Sequence, residues 1–260
     1  MSRVGLSPSN RKSQIGNRKF VWTLLVMNDL WNTLAARANV ALDASQHERL
    51  SRYLDLLLEA NATMNLTRIT DRAAAEVNHV GDALTLLPYL PAGPITLADV
   101  GSGGGVPGIP LAIVRPDAQV LLIESTKKKA AFLERAAKEL GLANVRVTGE
   151  RAEDIGQSGR RQTFDVAVAR AVATLDWLAE WCLPLVKMGG KVLAMKGKRA
   201  AEELPAATRA IRLLGGGEPV THRVDLPGAE NYVIIEIPKV GKTDKRYPRP
   251  ATEAKGKPLR

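Results

Sequence analysis

The stretch Asp99 to Pro110, DVGSGGGVPGIP, restricts this chain more than any other. It follows an apolar run with strand character, ITLADV over 95–100, and leads into a helical pattern near 109–114. Glycines at 101, 103, 104, 105 and 108 let the backbone take positive φ and let a ligand approach where a β-carbon would block it. A strand that runs through a glycine turn into a helix opens the ligand crevice of an open α/β sheet. The 260 residues are long enough to bury the core such a sheet needs.

The remaining pattern agrees with that start. Strands are predicted near 95–100, 119–124, 144–148, 164–169, 190–195, 219–224 and 231–237, with helices near 109–114, 126–140, 174–187 and 199–214. Alternating strands and helices imply an α/β fold, a doubly wound, mostly parallel seven-stranded sheet covered on both faces. Only the Pro227-Gly228 turn separates the last two strands, so they are expected to pair antiparallel at one sheet edge. Upstream, Ser45 and Glu48 read as a capping box before Leu50, Tyr53, Leu54, Leu57 and Leu58, an amphipathic helical face. A second helical stretch is expected from Asp71 to Leu90.

Two templates overlap in the glycine loop. Gly103, Gly105 and Gly108 satisfy the dinucleotide pattern G-x-G-x-x-G, whereas Asp99, Gly101, Gly103 and Gly105 satisfy D-x-G-x-G-x-G. An acid just ahead of the loop is poorly suited to an anionic pyrophosphate and suits S-adenosylmethionine, whose amino and sulfonium groups are cationic. Glu124, about 20 residues past the glycines at the end of the second strand, can accept hydrogen bonds from both ribose hydroxyls. That device serves both cofactor classes. The polar loop 149–154 after the third strand is placed to meet an adenine edge.

Charge and composition bound the partners. The chain has 37 basic and 27 acidic residues, a net of +10, which points to a polyanion. Residues 1–27 hold five basic side chains and no acid, and residues 239–260 hold eight basic and two acidic, so 28–238 are left with a net of −1. The division expected is a basic, disordered extension over 1–27, a helical region over 28–94, a cofactor-binding core over 95–238 and a basic tail over 239–260. The one cysteine, Cys182, fits a reducing compartment, and three histidines argue against a dedicated metal enzyme. No apolar run is long enough for a membrane span. Phe20 to Met27 is too short, and too quickly followed by Asn28 and Asp29, to read as an export signal. The expectation is a cytoplasmic monomer without metal.

Ordered motifs along the chain carry a family resemblance: Asn65-Leu66-Thr67, His79 with Asp82, DVGSGGGVPGIPLAIVRP, Glu124 with Lys127-Lys128, Arg151-Ala152-Glu153, Ala169-Arg170-Ala171, Lys196-Gly197 and Arg246-Tyr247-Pro248-Arg249. From about Leu50 to Pro248 the chain resembles the bacterial small-subunit rRNA guanine-N7 methyltransferases, also called glucose-inhibited division protein B. The resemblance implies the class I S-adenosylmethionine-dependent methyltransferase fold, and methyl transfer to one guanine in the decoding-region loop of 16S rRNA, in free rRNA or the small ribosomal subunit. It further implies cofactor contacts at Gly101, Val106, Glu124, Ser125, Thr126, Ala152, Glu153 and Arg170.

Guanine N7 attacks with a lone pair outside the aromatic sextet, so no general base is required and no catalytic acid–base pair is expected. Catalysis then rests on in-line positioning and on charge placed near the purine. Cys182 lies on an apolar helical face with Trp177 and Trp181, which suits a core role rather than covalent attack on a pyrimidine. The adenine-N6 signature is absent after the fourth strand, where Arg170-Ala171-Val172-Ala173 stands. His79 and Asp82 either line the base pocket or make a local hydrogen bond. Lys127 to Lys129 open a helix, against the macrodipole. His79, Lys196, Arg246 and Arg249 are the candidate RNA contacts, cations suiting phosphate and guanine O6. Aromatic residues at 4% argue against broad stacking platforms. A nicotinamide-dependent oxidoreductase and a non-catalytic RNA-binding assembly protein are the competing readings.

Overall fold

The computed structural model describes residues 29–254 and 256–259. The basic stretch 1–27 lies outside the described residues. Seven strands, β1 (Thr96–Val100), β2 (Gln119–Ile123), β3 (Val145–Thr148), β4 (Phe164–Arg170), β5 (Val186–Lys196), β6 (Val220–Arg223) and β7 (Val233–Pro238), form one sheet in the order β3-β2-β1-β4-β5-β7-β6. The first five run parallel, and β7 lies antiparallel to both β5 and β6. The expected antiparallel pair is therefore present, with the reversed strand β7 one place in from the edge and β6 outermost.

Side-chain alternation divides the core in two. Leu97, Val166, Val168 and Leu193 face one cluster with the N-terminal helices, and Ala98, Ala167, Ala169 and Ala194 face the other. On the first face pack α1 (29–36), α2 (Ala44–Met64), α5 (Gly108–Val114) and α6 (Lys127–Glu139). On the second lie α7 (Ala152–Gln157), α8 (Leu175–Cys182) and α9 (Ala200–Leu213). Small residues on that face of the sheet let α8 lie close, and Cys182 is fully buried there.

Three local expectations change. The N-cap of α2 is Asp43, not Ser45: Asp43 Oδ1 accepts from Gln46 N at 2.7 Å while Gln46 Oε1 accepts from Asp43 N at 3.0 Å. A reciprocal pair was available two residues earlier, so Ser45 falls inside the helix. The stretch 71–90 is broken into α3 (Arg72–Ala75), a π-helical segment Glu76–Gly81, α4 (Asp82–Leu84) and a 3-10 turn Leu87–Tyr89. The widened turns re-aim His79 and Asp82 towards β4. Finally, α8 stops at Cys182 instead of running to 187, because Pro184 has no N–H to continue it, and β5 starts earlier at Val186.

The expected basic tail is packed from Lys239 to Arg249. Lys239 is 1% exposed, its Nζ donating to the Leu214 carbonyl at 2.8 Å and to the Thr243 hydroxyl. Arg161 donates to the carbonyls of Gly156, Thr243, Asp244 and Tyr247. Tyr247 is buried in the second cluster, and Arg249 makes three hydrogen bonds to Glu180 at 2.7–2.9 Å. Two residues counted as tail charge thus serve as donors inside the fold, Lys239 to a buried carbonyl and Arg249 to the Glu180 carboxylate.

Burial, with Arg161 adding to it, pushes the Lys239 amine down to about 7. Its folded value lies below the unfolded one, so the unfolded chain binds more protons between about pH 7 and 10.5, and stability should rise with pH across that window. In Lys239→Met this rise should be absent, a difference of roughly 2–4 kcal/mol over the window, read as melting temperature against pH for the two proteins.

Candidate functional site

The loop after β1 closes on itself before any ligand is considered. Gly103, at φ +56°, directs its N–H to Glu124 Oε2 at 3.0 Å, and Glu124 Oε1 accepts from Thr126 N at 2.8 Å. One carboxylate from the end of β2 therefore ties the glycine loop to the start of α6. Gly108 explains the close helix–strand approach: a β-carbon there would lie 2.4 Å from Leu122 Cδ2 and 2.6 Å from Asp99 Oδ2. Behind the loop, Tyr53 of α2 donates its hydroxyl to the Gly104 carbonyl at 2.8 Å.

Asp99 changes role. It is fully buried, its Oδ2 accepts from Gly108 N at 3.0 Å, and it is not among the residues lining the cavity. Oδ1 has no hydrogen-bond partner among the described residues. Burial pushes this carboxyl up to about 7 against the opposing pull of the Gly108 N–H. It braces the turn from behind, so the acid that meets a ligand is Glu124. Glu124 disfavours a pyrophosphate, because it already occupies a loop N–H with negative charge.

A cavity of about 360 Å³, within the usual range for small-molecule sites, opens above this loop. Gly101, Val106, Glu124, Ser125, Ala152, Glu153 and Arg170 all line it. Thr126 does not; it serves as N-cap of α6. A second cavity of about 870 Å³ adjoins the first and shares Leu66, His79, Arg170, Ala171 and Val172 with it. The partition between them is rigid. Arg170 Nη1 donates to the Asn78 carbonyl at 2.6 Å and pairs with Asp82 Oδ2 at 2.7 Å, while Nη2 lies 3.0 Å from His79 Nδ1. His79 and Asp82 therefore make a local hydrogen-bond network with Arg170, and both line the second cavity. Burial and the neighbouring Arg170 push the His79 ring down to about 4, so it is neutral near pH 7.

The cation candidates separate. Lys196 lines the second cavity, but its Nζ is held by Glu203 Oε2 at 2.5 Å and the Ala173 carbonyl at 2.8 Å. Arg249 is engaged by Glu180, away from both cavities. Arg246 is exposed, with its guanidinium 5.1 Å from the centre of the Tyr247 ring. Cys182 is buried and its thiol is pushed up by desolvation, which removes it as a nucleophile. Trp181, expected only on the apolar face around Cys182, lines the first cavity, and Lys198 and Arg199, which belong to no motif, line the second. The i, i+4 spacing of Trp177 and Trp181 was the signal for the first; Lys198 and Arg199 carried none beyond lying just after a strand end.

A doubly wound sheet with a reversed seventh strand, a glycine turn after β1 and an acid ending β2 is the fold of the S-adenosylmethionine-dependent methyltransferases. One solved structure of that class, a SAM-dependent methyltransferase from Aquifex aeolicus, matches with a TM-score of 0.52 at 14% identity, covering 68% of this chain and 97% of its own. The family model GidB, rRNA small subunit methyltransferase G, matches residues 46–226. Relatives named ribosomal RNA small subunit methyltransferase G include one from Geobacillus kaustophilus, 43% identical over 84% of this chain and 93% of its own length. Another, from Lactobacillus delbrueckii subsp. bulgaricus, is 40% identical over 89% and 99%. The chain belongs to the GidB family of rRNA small subunit methyltransferases.

Two substitutions probe the loop. Gly108→Ala should cost about 1–3 kcal/mol in thermal or denaturant unfolding and weaken S-adenosylhomocysteine binding in calorimetric titration, since Leu122 and Asp99 must move. For Asp99 the folded carboxyl is raised, so the folded state holds the extra proton between about pH 4 and 7, and stability is lost as pH rises through that window. Asp99→Asn should gain on wild type across the same window, by on the order of a few kcal/mol, in paired melting curves. The opposite slope from the lowered His79 is common to both proteins and cancels.

Proposed function

We propose that this protein transfers a methyl group from S-adenosylmethionine to N7 of a guanine in the 16S rRNA of the small ribosomal subunit. The observation that carries the reading is the pair of adjoining cavities with a shared Arg170–His79 partition, one walled by glycines and Glu124, the other rimmed by cations. S-adenosylmethionine supplies an electrophilic methyl on a sulfonium. Glu124 keeps free lone pairs beside the glycine loop for two ribose hydroxyls, and Ala152, Glu153 and Trp181 lie where an adenine would end. The donor set suits a cofactor with a cationic centre and no phosphate.

In the second cavity the chain's residues position the base. His79 is buried, neutral and held on both ring nitrogens, which leaves it unsuited to proton transfer and suited to shaping a wall. That agrees with a nucleophile that needs no deprotonation. The carboxylates near the partition oppose the positive charge that the purine gains on methylation. Lys198 and Arg199 at the rim, with Arg246, offer phosphate contacts; Arg199 is exposed and only loosely paired with Glu203 at 3.9 Å. Such a protein works in the cytoplasm, where its substrate is. An oxidoreductase reading would require the loop N–H of Gly103 to leave Glu124 for a pyrophosphate.

Wild type incubated with small subunits lacking the modification should label one guanine, located by primer extension after N7-specific cleavage. Glu124→Ala should lower labelling at least about tenfold, because it removes the ribose acceptor and the anchor of Gly103 together. Equal labelling by both proteins would remove Glu124 from the site; tight binding of NAD without binding of S-adenosylhomocysteine would overturn the reading.

A further inference from the structure

The partners of the His79 ring determine where one proton lies. Arg170 Nη2 is 3.0 Å from Nδ1, and a guanidinium has donors only, so Nδ1 accepts and Nε2 of the neutral ring carries the hydrogen. Nε2 is 3.0 Å from Thr67 Oγ1, which therefore accepts from the ring. The same oxygen accepts the N–H of Ile69 at 3.0 Å. A hydroxyl has two lone pairs and one hydrogen. Both lone pairs are engaged, and no group among the described residues accepts the hydrogen. The backbone is held as well, Thr67 N donating to Asn61 Oδ1 at 2.8 Å. Thr67 lines the second cavity.

We propose that the Thr67 hydroxyl donates to O6 of the target guanine, selecting the base and setting the direction of its N7. This rests on the function proposed above. On the Hoogsteen edge guanine offers two neighbouring acceptors, N7 and O6, whereas adenine offers N7 and an amino donor. A hydroxyl whose lone pairs are taken cannot turn round to accept from that amino group, so adenine meets donor with donor. A hydrogen bond at O6 also fixes the adjacent N7 in the plane of the base. The relay Asp82–Arg170–His79–Thr67 draws on a helical segment, a strand end and a loop, so the donor is oriented before the RNA arrives.

The test crosses the enzyme with the base. Wild type, Thr67→Val and Thr67→Ser are assayed for kcat/KM of methyl transfer to N7 on small subunits reconstituted with guanosine or 2-aminopurine ribonucleoside at the target position. The second base keeps N7 and lacks O6. Thr67→Val should lose about 10- to 100-fold on guanosine and less than about threefold on 2-aminopurine, while Thr67→Ser stays within about threefold of wild type on both. An equal loss on both bases, which a merely structural defect would give, overturns the hydrogen bond, as does full activity of Thr67→Val on guanosine. Wild type that methylates an atom other than guanine N7 overturns the function proposed above, a result visible before any variant is compared.

Discussion

Arg170 ends β4 with its guanidinium committed on every side, to the Asn78 carbonyl, the Asp82 carboxylate and the His79 ring. Its partners sit about 90 positions earlier in the chain, in the π-helical segment and the residue that follows it. The contact joins the N-terminal helices to the C-terminal end of β4, and it forms the wall that the two cavities share. Burial raises the Asp82 carboxyl while Arg170 pulls it the other way, and burial and Arg170 together lower the His79 ring and keep it neutral. Breaking a buried set of this kind would leave an uncompensated charge at the wall between the two cavities.

The loop after β1 depends on neighbours in the same way. Glu124 holds Gly103, Asp99 holds Gly108 and Tyr53 holds the Gly104 carbonyl. Three side chains from three elements fix a segment that glycine leaves conformationally permissive. Helix α2 is thus part of the support of the glycine loop, although it lies outside the sheet.

Much of this architecture was legible in the residues. Short apolar runs bounded by glycine, proline or polar residues marked most of the strands, because strands of a sheet covered on both faces are near-continuously apolar. Glu124 was legible from its spacing to the glycines, and Arg170 from its motif. Asp99 misled, because its template position does not show whether the carboxylate faces the crevice or turns back to a helix N–H. For Lys196 and Arg249, named as candidate RNA contacts, the carboxylate partners were not legible, since Glu203 lies in the following helix and Glu180 lies 69 residues away. Ser45 lost its cap to Asp43, a choice between two chemically equal options that only the entry of the chain settles.

The sequence by itself determined the order of the strands along the chain, the glycine turn with its acid and the family, since those follow from apolar patterning, backbone permissiveness and ordered motifs. Only the tertiary structure decided which charges are exposed, which ring nitrogen of His79 bears a hydrogen and which side chains share a cavity. The physical reason is range. Turn and strand preferences act between neighbours in the chain, whereas burial, ion pairing and proton position are set by groups that meet only after the sheet has brought distant segments to one crevice.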